Sequence, residues 1–246
     1  DLAAMGAWPL ALVDTVTGPR EVIRRVLEGM RWASGLYDVP VVGGHMTVTE
    51  GPPGLSAFGL GRADFPLSAQ AAASGQSLML GCCLDGQMRP DFPFFPSFDE
   101  RGTKLAGDVR LLAEGAESGW VAAAKDVSMA GLVGSLAMLL ECNRLGVSLD
   151  LDALPVPAGV TLERWINCFP CLSFLMCVPP GREEDCLGAF GLRGLAVATV
   201  GTLDDTGLLR LSSAGQTETV FDLSAESVTN LARPAPGGGR ARSARR

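Results

Sequence analysis

The sequence predicts an α+β protein, or α/β with antiparallel strand pairs, arranged as two domains. Three observations predict it. Apolar runs of strand length mix with amphipathic helical stretches in both halves, without a strict strand–helix–strand rhythm. A segment rich in proline and phenylalanine breaks the chain near residues 86–101. Finally, 246 residues with 47% hydrophobic content and a mean hydropathy of +0.25 suffice for the cores of two domains of ordinary size. Only 6% of residues are aromatic, so aliphatic side chains and alanine must fill those cores.

Taken in order, Leu2 to Gly6 reads as the end of a helix, and Leu10 to Val16 after Pro9 reads as an apolar strand. Pro19 to Leu36 is an amphipathic helix with Pro19 in its first turn; Val22, Ile23, Val26, Leu27, Met30 and Ala33 form its apolar face. Asp38 to Thr49 is a strand carrying Gly43-Gly44-His45, and Leu55 to Gly61 follows as another after a proline turn. Residues 68–75 are a helix or loop, and Leu78 to Leu84 is a strand.

Pro90, Pro93 and Pro96 then alternate with Phe92, Phe94, Phe95 and Phe98, which marks an irregular connector. Its sticky side chains either line a substrate mouth or pack on the core. The boundary set there gives an N-terminal domain at 1–88, a connector at 89–101 and a C-terminal domain at 102–225. Within the latter, helices are expected near Lys104–Glu117, Leu162–Asn167 and Glu183–Phe190. Strands are expected near Leu172–Val178, Ala196–Thr202, Leu208–Leu211 and Thr219–Phe221.

Residues 226–246 read as a disordered basic tail rich in proline, glycine and arginine. Net charge is −7, but Arg233, Arg240, Arg242, Arg245 and Arg246 lie in that tail. The body keeps 15 basic and 27 acidic residues, a balance that argues against nucleic acid as the main partner. No apolar run reaches the length of a membrane span without a charge or a glycine-proline break. The seven cysteines are odd in number and sit in apolar surroundings, which suits a reducing cytoplasm. Cys168-Phe-Pro-Cys171 is a CxxC with no second pair at zinc spacing, and the one histidine lies far from it in sequence.

The stretch richest in chemistry is Ala124 to Gly134. It reads as a short strand that delivers Lys125, Asp126 and Ser128 to the start of a helix, whose apolar face is Met129, Leu132, Val133, Leu136, Leu139 and Leu140. Ser128 is positioned as its N-cap. Gly131 and Gly134 lower helix propensity, which is tolerable where a ligand or another backbone comes close. A helix start offers free N–H groups to an anion, and an Asp just upstream suits the cation that accompanies a phosphate. The bland reading of the same residues is a capped core helix.

Four stretches together resemble the aminoimidazole ribonucleotide synthetase (AIR synthase)-like superfamily of ATP enzymes. Asp1-Leu2-Ala3-Ala4-Met5-Gly6-Ala7-Trp8-Pro9 is similar to its Asp-[Ile/Leu]-Ala-Ala-Met-Gly-Ala-x-Pro motif. Val41-Val42-Gly43-Gly44-His45 resembles its Gly-Gly-[Asp/Glu/His/Asn] strand end, and Asp126 to Leu132 its Asp-x-[Ser/Thr]-x-Gly-Gly-Leu motif. Gly191-Leu192 with Val200-Gly201 resembles its closing stretch, so the likeness spans roughly residues 1–222. Relatives in that superfamily include selenophosphate synthetase, thiamine-monophosphate kinase and the hydrogenase maturation carbamoyl dehydratase. The segment Pro155 to Pro180 resembles an AIR synthase-related branch without an assigned substrate.

The resemblance implies an N-terminal domain that dimerises through its strands and a C-terminal α/β sandwich, with ATP and Mg2+ in the cleft between them. It implies metal ligation and phosphate contacts by Asp1 and Asp126, backbone approach to the nucleotide at Gly43 and Gly44, and a place for His45 in the same cleft. The residues themselves add Lys125 and Ser128 as candidate phosphate contacts, and His45, Asp126 or Asp14 as a general base, with His45 and Asp126 taken as the catalytic pair. The implied activity is phosphorylation or activation of an oxygen or similar atom of a small molecule by a cytoplasmic homodimer. The alternative is a non-catalytic nucleotide-binding or scaffold homodimer of the same fold. Two departures bear on the choice. The family's glycine-rich segment with paired acids would precede Asp1, so an N-terminal portion is expected beyond this sequence, and Ala130 stands where the third motif has its first glycine.

Overall fold

The computed structural model describes residues 1–230, and the expected arginine-rich tail from Arg233 onward lies outside the described residues. The chain opens on a 3-10 turn, Ala3–Met5, that ends at Gly6 in the left-handed region (φ 66°). A Cβ on Gly6 would also come within 2.9 Å of Leu67, so conformation and space both call for glycine. β1 (Trp8–Gly18), α1 (Arg20–Tyr37), β2 (Val41–Val48) and β3 (Gly54–Arg62) follow. β1 is the central strand, parallel to β2 across the α1 crossover and antiparallel to β3.

Asp14, Val16 and Gly18 of β1 are buried on the α1 side, while Val13 and Thr15 point to the other, open face. The helix expected at 19–36 is present with Pro19 at its cap, but of its apolar stripe only Ile23 is buried. Leu27 is exposed, and Met30 and Ala33 instead line a cleft. One helix over three strands leaves its flanking positions open.

The remaining elements are β4 (Ser77–Cys82), β5 (Phe94–Phe95), α2 (Phe98–Arg101), α3 (Leu105–Asp108), α4 (Leu111–Ser118), β6 (Ala123–Asp126), α5 (Gly131–Glu141), β7 (Gly146–Asp150), α6 (Leu162–Ile166), β8 (Phe169–Pro170), β9 (Ser173–Val178), α7 (Glu183–Leu192), β10 (Ala196–Asp204), β11 (Leu208–Ser213) and β12 (Gln216–Asp222). Seven of these strands form one sheet in the order β12-β11-β7-β10-β4-β9-β6. Side chains alternate across it. Leu78, Leu80 and Leu175 pack with Leu136 and Leu140 of α5 on one face. Met79 and Met176 pack with Leu112 of α4 and Phe190 of α7 on the other. A Cβ on Gly81 would overlap the Phe190 ring, so a bare glycine lets α7 lie close on the sheet. The result is the expected α/β sandwich.

Several expectations change. β4, grouped by sequence with the N-terminal half, hydrogen-bonds to β9 and β10 inside the large sheet. Its run Leu78-Met79-Leu80 is buried on both faces, and only a sheet covered by helices on both sides provides that. The helix expected over 104–117 breaks between Asp108 and Leu111. There Asp108 is fully buried and accepts from Arg101 Nε at 2.8 Å and Arg193 Nε at 2.7 Å. Arg193 reaches it across Gly107, where a Cβ would overlap the guanidinium. β7 had no sequence assignment. It is five residues long, and its apolar signal rests on Val147 and Leu149 alone.

The disordered tail was expected from residue 226, yet 227–230 is held in place. The buried Glu141 carboxylate accepts backbone N–H groups of Val228 (3.1 Å), Thr229 (2.9 Å) and Asn230 (3.1 Å), and the hydroxyls of Ser227 and Thr229. Among the described residues no helix is long and apolar enough to cross a membrane.

Candidate functional site

Asp126 ends β6, the outermost strand of the large sheet, opposite Phe174 of β9. Its Oδ1 accepts from Lys125 Nζ at 2.6 Å, and the same ammonium donates to the Asp126 carbonyl at 3.0 Å. Burial alone would push this half-buried carboxyl up. The hydrogen bond and charge of Lys125 outweigh it, and the pKa falls below the ordinary aspartate value.

The helix does not begin at Ser128 as its hydroxyl suggests. α5 starts at Gly131 with Ala130 as its cap, and no side chain caps it. Ser128 instead donates its backbone N–H to Ser135 Oγ (3.2 Å) and accepts the Gly131 N–H (2.8 Å). A tight turn is inserted there, with Gly131 at φ 67°. A Cβ on Gly131 would sit 2.6 Å from the Ile166 carbonyl oxygen, so the turn needs this glycine. The single glycine that the motif retains is therefore the one the geometry demands.

The opening turn packs beside this strand end, with Ala3 and Ala4 buried in the same cluster as Ala124. Asp1, Asp126 and Ser128 consequently line one cleft of about 590 Å³ between the two sheets. Met30, Ala33 and Tyr37 of α1 line it too, as do Phe94, Phe98 and Phe169. β5 and β8 form a two-residue parallel ladder that sets Phe94 beside Phe169, rings stacked at 4.6 Å. Phe98 stands 6.0 Å from Phe94. Of the connector, Phe94 and Phe98 line the cleft, while Phe95 packs on Trp165 in the core.

Tyr37 and Cys171 both line this cleft. Burial pushes the tyrosine up, and it pushes the Cys171 thiol up to about 11. The Cys168 thiol, likewise raised to about 11 by burial, donates to the Trp165 carbonyl at 3.3 Å. Both members of the CxxC are therefore protonated, weakly nucleophilic groups at neutral pH. Among the described residues no cluster of three or more His, Cys, Asp or Glu could hold a metal.

Gly43, Gly44 and His45 lie apart from that cleft. In the β1–β2 register Gly43 faces Val13 and His45 faces Thr15, so both stand on the open face of the small sheet, away from α1. Gly44 pairs with Asp14, and a Cβ there would overlap the Asp14 carboxylate, which explains this glycine without a ligand. Sequence reasoning overlooked Tyr37, Phe169 and Cys171 as cleft residues. Only the alternating Phe and Pro of 92–98 hinted at an aromatic wall.

Two family models match the chain, described as the N-terminal domain (residues 1–63) and the C-terminal domain (residues 98–213) of AIR synthase related protein. The chain belongs to the AIR synthase-related family. It is 33% identical over 235 residues to uncharacterized protein sll0787 of Synechocystis, covering 94% of this chain and 73% of that protein. T. maritima PurL complexed with ADP superposes with a TM-score of 0.74 at 20% identity, over 91% of this chain and 38% of that one. Hydrogenase maturation protein HypE superposes with a TM-score of 0.71 at 17% identity, over 94% of this chain and 82% of that one. These likenesses establish the fold. The T. maritima PurL protein is also known in complex with ATP, with AMPPCP and with FGAR.

Proposed function

We propose that the protein binds ATP with Mg2+ in the cleft and phosphorylates, or otherwise activates, an oxygen or similar atom of a small molecule. One observation carries this reading: Asp1, from the N-terminal segment, and Asp126, from the C-terminal one, line the same cleft as Ser128. No described cluster provides three ligands, so a cation here shares its coordination with phosphate oxygens, which is how magnesium is commonly held. Asp1 and Asp126 would hold it, and when bound it would neutralise phosphate charge. Lys125 is placed to add a further positive charge once a nucleotide competes for it.

In the transfer, the acceptor oxygen bonds the γ-phosphorus, the bond from that phosphorus to the β–γ bridging oxygen breaks, and ADP departs. Asp126 receives the acceptor's proton in this reading. The sequence implies nucleotide contacts from Gly43 and Gly44 and a catalytic role for His45; Gly43 and His45 stand on the open sheet face and in this reading act across a dimer interface, whereas Gly44 stands on the other face beside Asp14. Free cysteines throughout the chain fit a reducing cytoplasm. The test is a crystal structure with Mg2+ and AMPPCP. The expected result places the triphosphate between the Asp1 turn and residues 126–131. Nucleotide bound elsewhere, or none in a well-ordered cleft, overturns the assignment.

The open face of the small sheet supports the homodimer. Val13, Phe58 and Leu60 are exposed on it, Phe58 at 65% and Leu60 at 64%. A contiguous apolar sheet face of this kind is normally covered by a partner. We expect the protein to sediment as a dimer and Phe58→Glu to sediment as a monomer. A monomeric wild type at micromolar concentration contradicts this. A dimer that never binds nucleotide would favour the scaffold alternative.

A further inference from the structure

Lys125 and Asp126 are adjacent on β6, yet their charged ends meet. Successive side chains of a strand point to opposite faces, so this contact requires the lysine stem to bend round the strand. β6 is the outermost strand of the large sheet and pairs there with β9, which leaves it an edge to bend round. The ammonium stands 2.6 Å from Asp126 Oδ1 and 3.0 Å from the Asp126 carbonyl oxygen. The two side chains are 26% and 19% exposed, so the pair is drier than an ordinary surface ion pair.

A cation that binds Asp126 by itself has to displace this ammonium or stand beside it. Displacement separates a partly buried pair, and a bare cation brings no anion to receive the ammonium in exchange. Standing beside it, on Oδ2, sets two positive groups together, and they repel. A cation that arrives on a triphosphate brings the anion with it: a phosphate oxygen receives the ammonium while the carboxylate turns to the metal.

We infer that Lys125 is a resident counter-cation. It holds the metal's place on Asp126 in the empty protein, keeps free metal out, and passes to a phosphate oxygen when metal and nucleotide enter together. This rests on reading the cleft as a nucleotide site, and adds to it an order of entry.

The experiment follows Mn2+ by electron paramagnetic resonance, with and without AMPPCP, in the full protein and in Lys125→Met and Lys125→Arg. Without nucleotide, Lys125→Met is expected to bind Mn2+ at least about tenfold more tightly than the wild type. With AMPPCP, the same variant is expected to bind the Mn2+–nucleotide complex at least about tenfold more weakly. Lys125→Arg keeps the charge and is expected to follow the wild type in both arms. Lys125→Gln, which keeps a donor for Asp126 without the charge, is expected to behave as Lys125→Met and guards against loss of folding. A lysine that only supports the strand end would not move the two affinities in opposite directions. Both affinities unchanged, or both falling, in a folded neutral variant overturns the inference, while nucleotide binding by the wild type leaves the cleft's assignment standing. A wild type that binds no nucleotide overturns that assignment and the handover with it.

Discussion

Glu141→Gln is expected to lower the melting temperature by about 8 °C at pH 7, the largest loss of stability from a single substitution in this account. Glu141 is 1% exposed at the end of α5, and its two oxygens take hydrogen bonds from Ser227, Val228, Thr229 and Asn230. Burial pushes the carboxyl up, but the hydroxyl and backbone donors together hold it down at about 2. Glutamine keeps the shape while turning one oxygen into an NH2 group that faces donors, so a stabilising bond becomes a buried clash. Leaving such groups unmatched costs about 2–4 kcal/mol.

The sign of the pH effect follows from the lowered value. The folded state holds the carboxylate down to about 2, against the usual 4.5 for an unfolded glutamate. Its contribution, about 3 kcal/mol from a shift of this size, is therefore complete above pH 4.5 and is lost as pH falls towards 2. Thermal melts of wild type and variant should differ most at neutral pH and converge below pH 4. Equal melting temperatures at pH 7 would mean that the 227–230 clamp does not contribute to stability.

Much of the fold was legible because its signals are local. The β1–α1–β2 crossover follows from an apolar run, a proline at a helix start and a second apolar run. The β6–α5 unit follows from strand residues running into a helical stripe. What could not be read depends on long-range pairing. Leu78-Met79-Leu80 says that a strand is buried on both faces, but not which sheet buries it; β9 and β10, far along the chain, decide that.

The candidate site divides in the same way. Asp126 and Ser128 are legible as a pair because they are two residues apart, and Asp1 joins them only because the opening turn packs on β6. The Ser128 cap failed because Gly131, in the left-handed region, inserts a turn before the helix can start. Gly44 reads in sequence like a ligand-approach glycine, yet Asp14 occupies the space beside it. Tyr37, Phe94 and Phe169 meet only in three dimensions, through a two-residue ladder that no periodicity betrays.

Asp126→Asn carries the largest expected functional effect. The substitution keeps the side chain's volume and hydrogen-bonding reach but removes the charge that would hold a cation. It also frees Lys125, whose ammonium now bonds the carboxylate at 2.6 Å. A half-buried strand-end position tolerates this change, so the melting temperature should move by no more than a few degrees. If Asp126 ligates Mg2+ as proposed, its loss should weaken nucleotide binding by at least about 100-fold, or about 2.7 kcal/mol.

The most direct measurement is calorimetric titration of the full protein and of Asp126→Asn with ATP, each in the presence and absence of Mg2+. The account predicts micromolar, magnesium-dependent binding by the wild type and none detectable in a folded variant. Unchanged affinity in Asp126→Asn, or no binding by a folded wild-type dimer, would contradict the claim that this cleft is a nucleotide site.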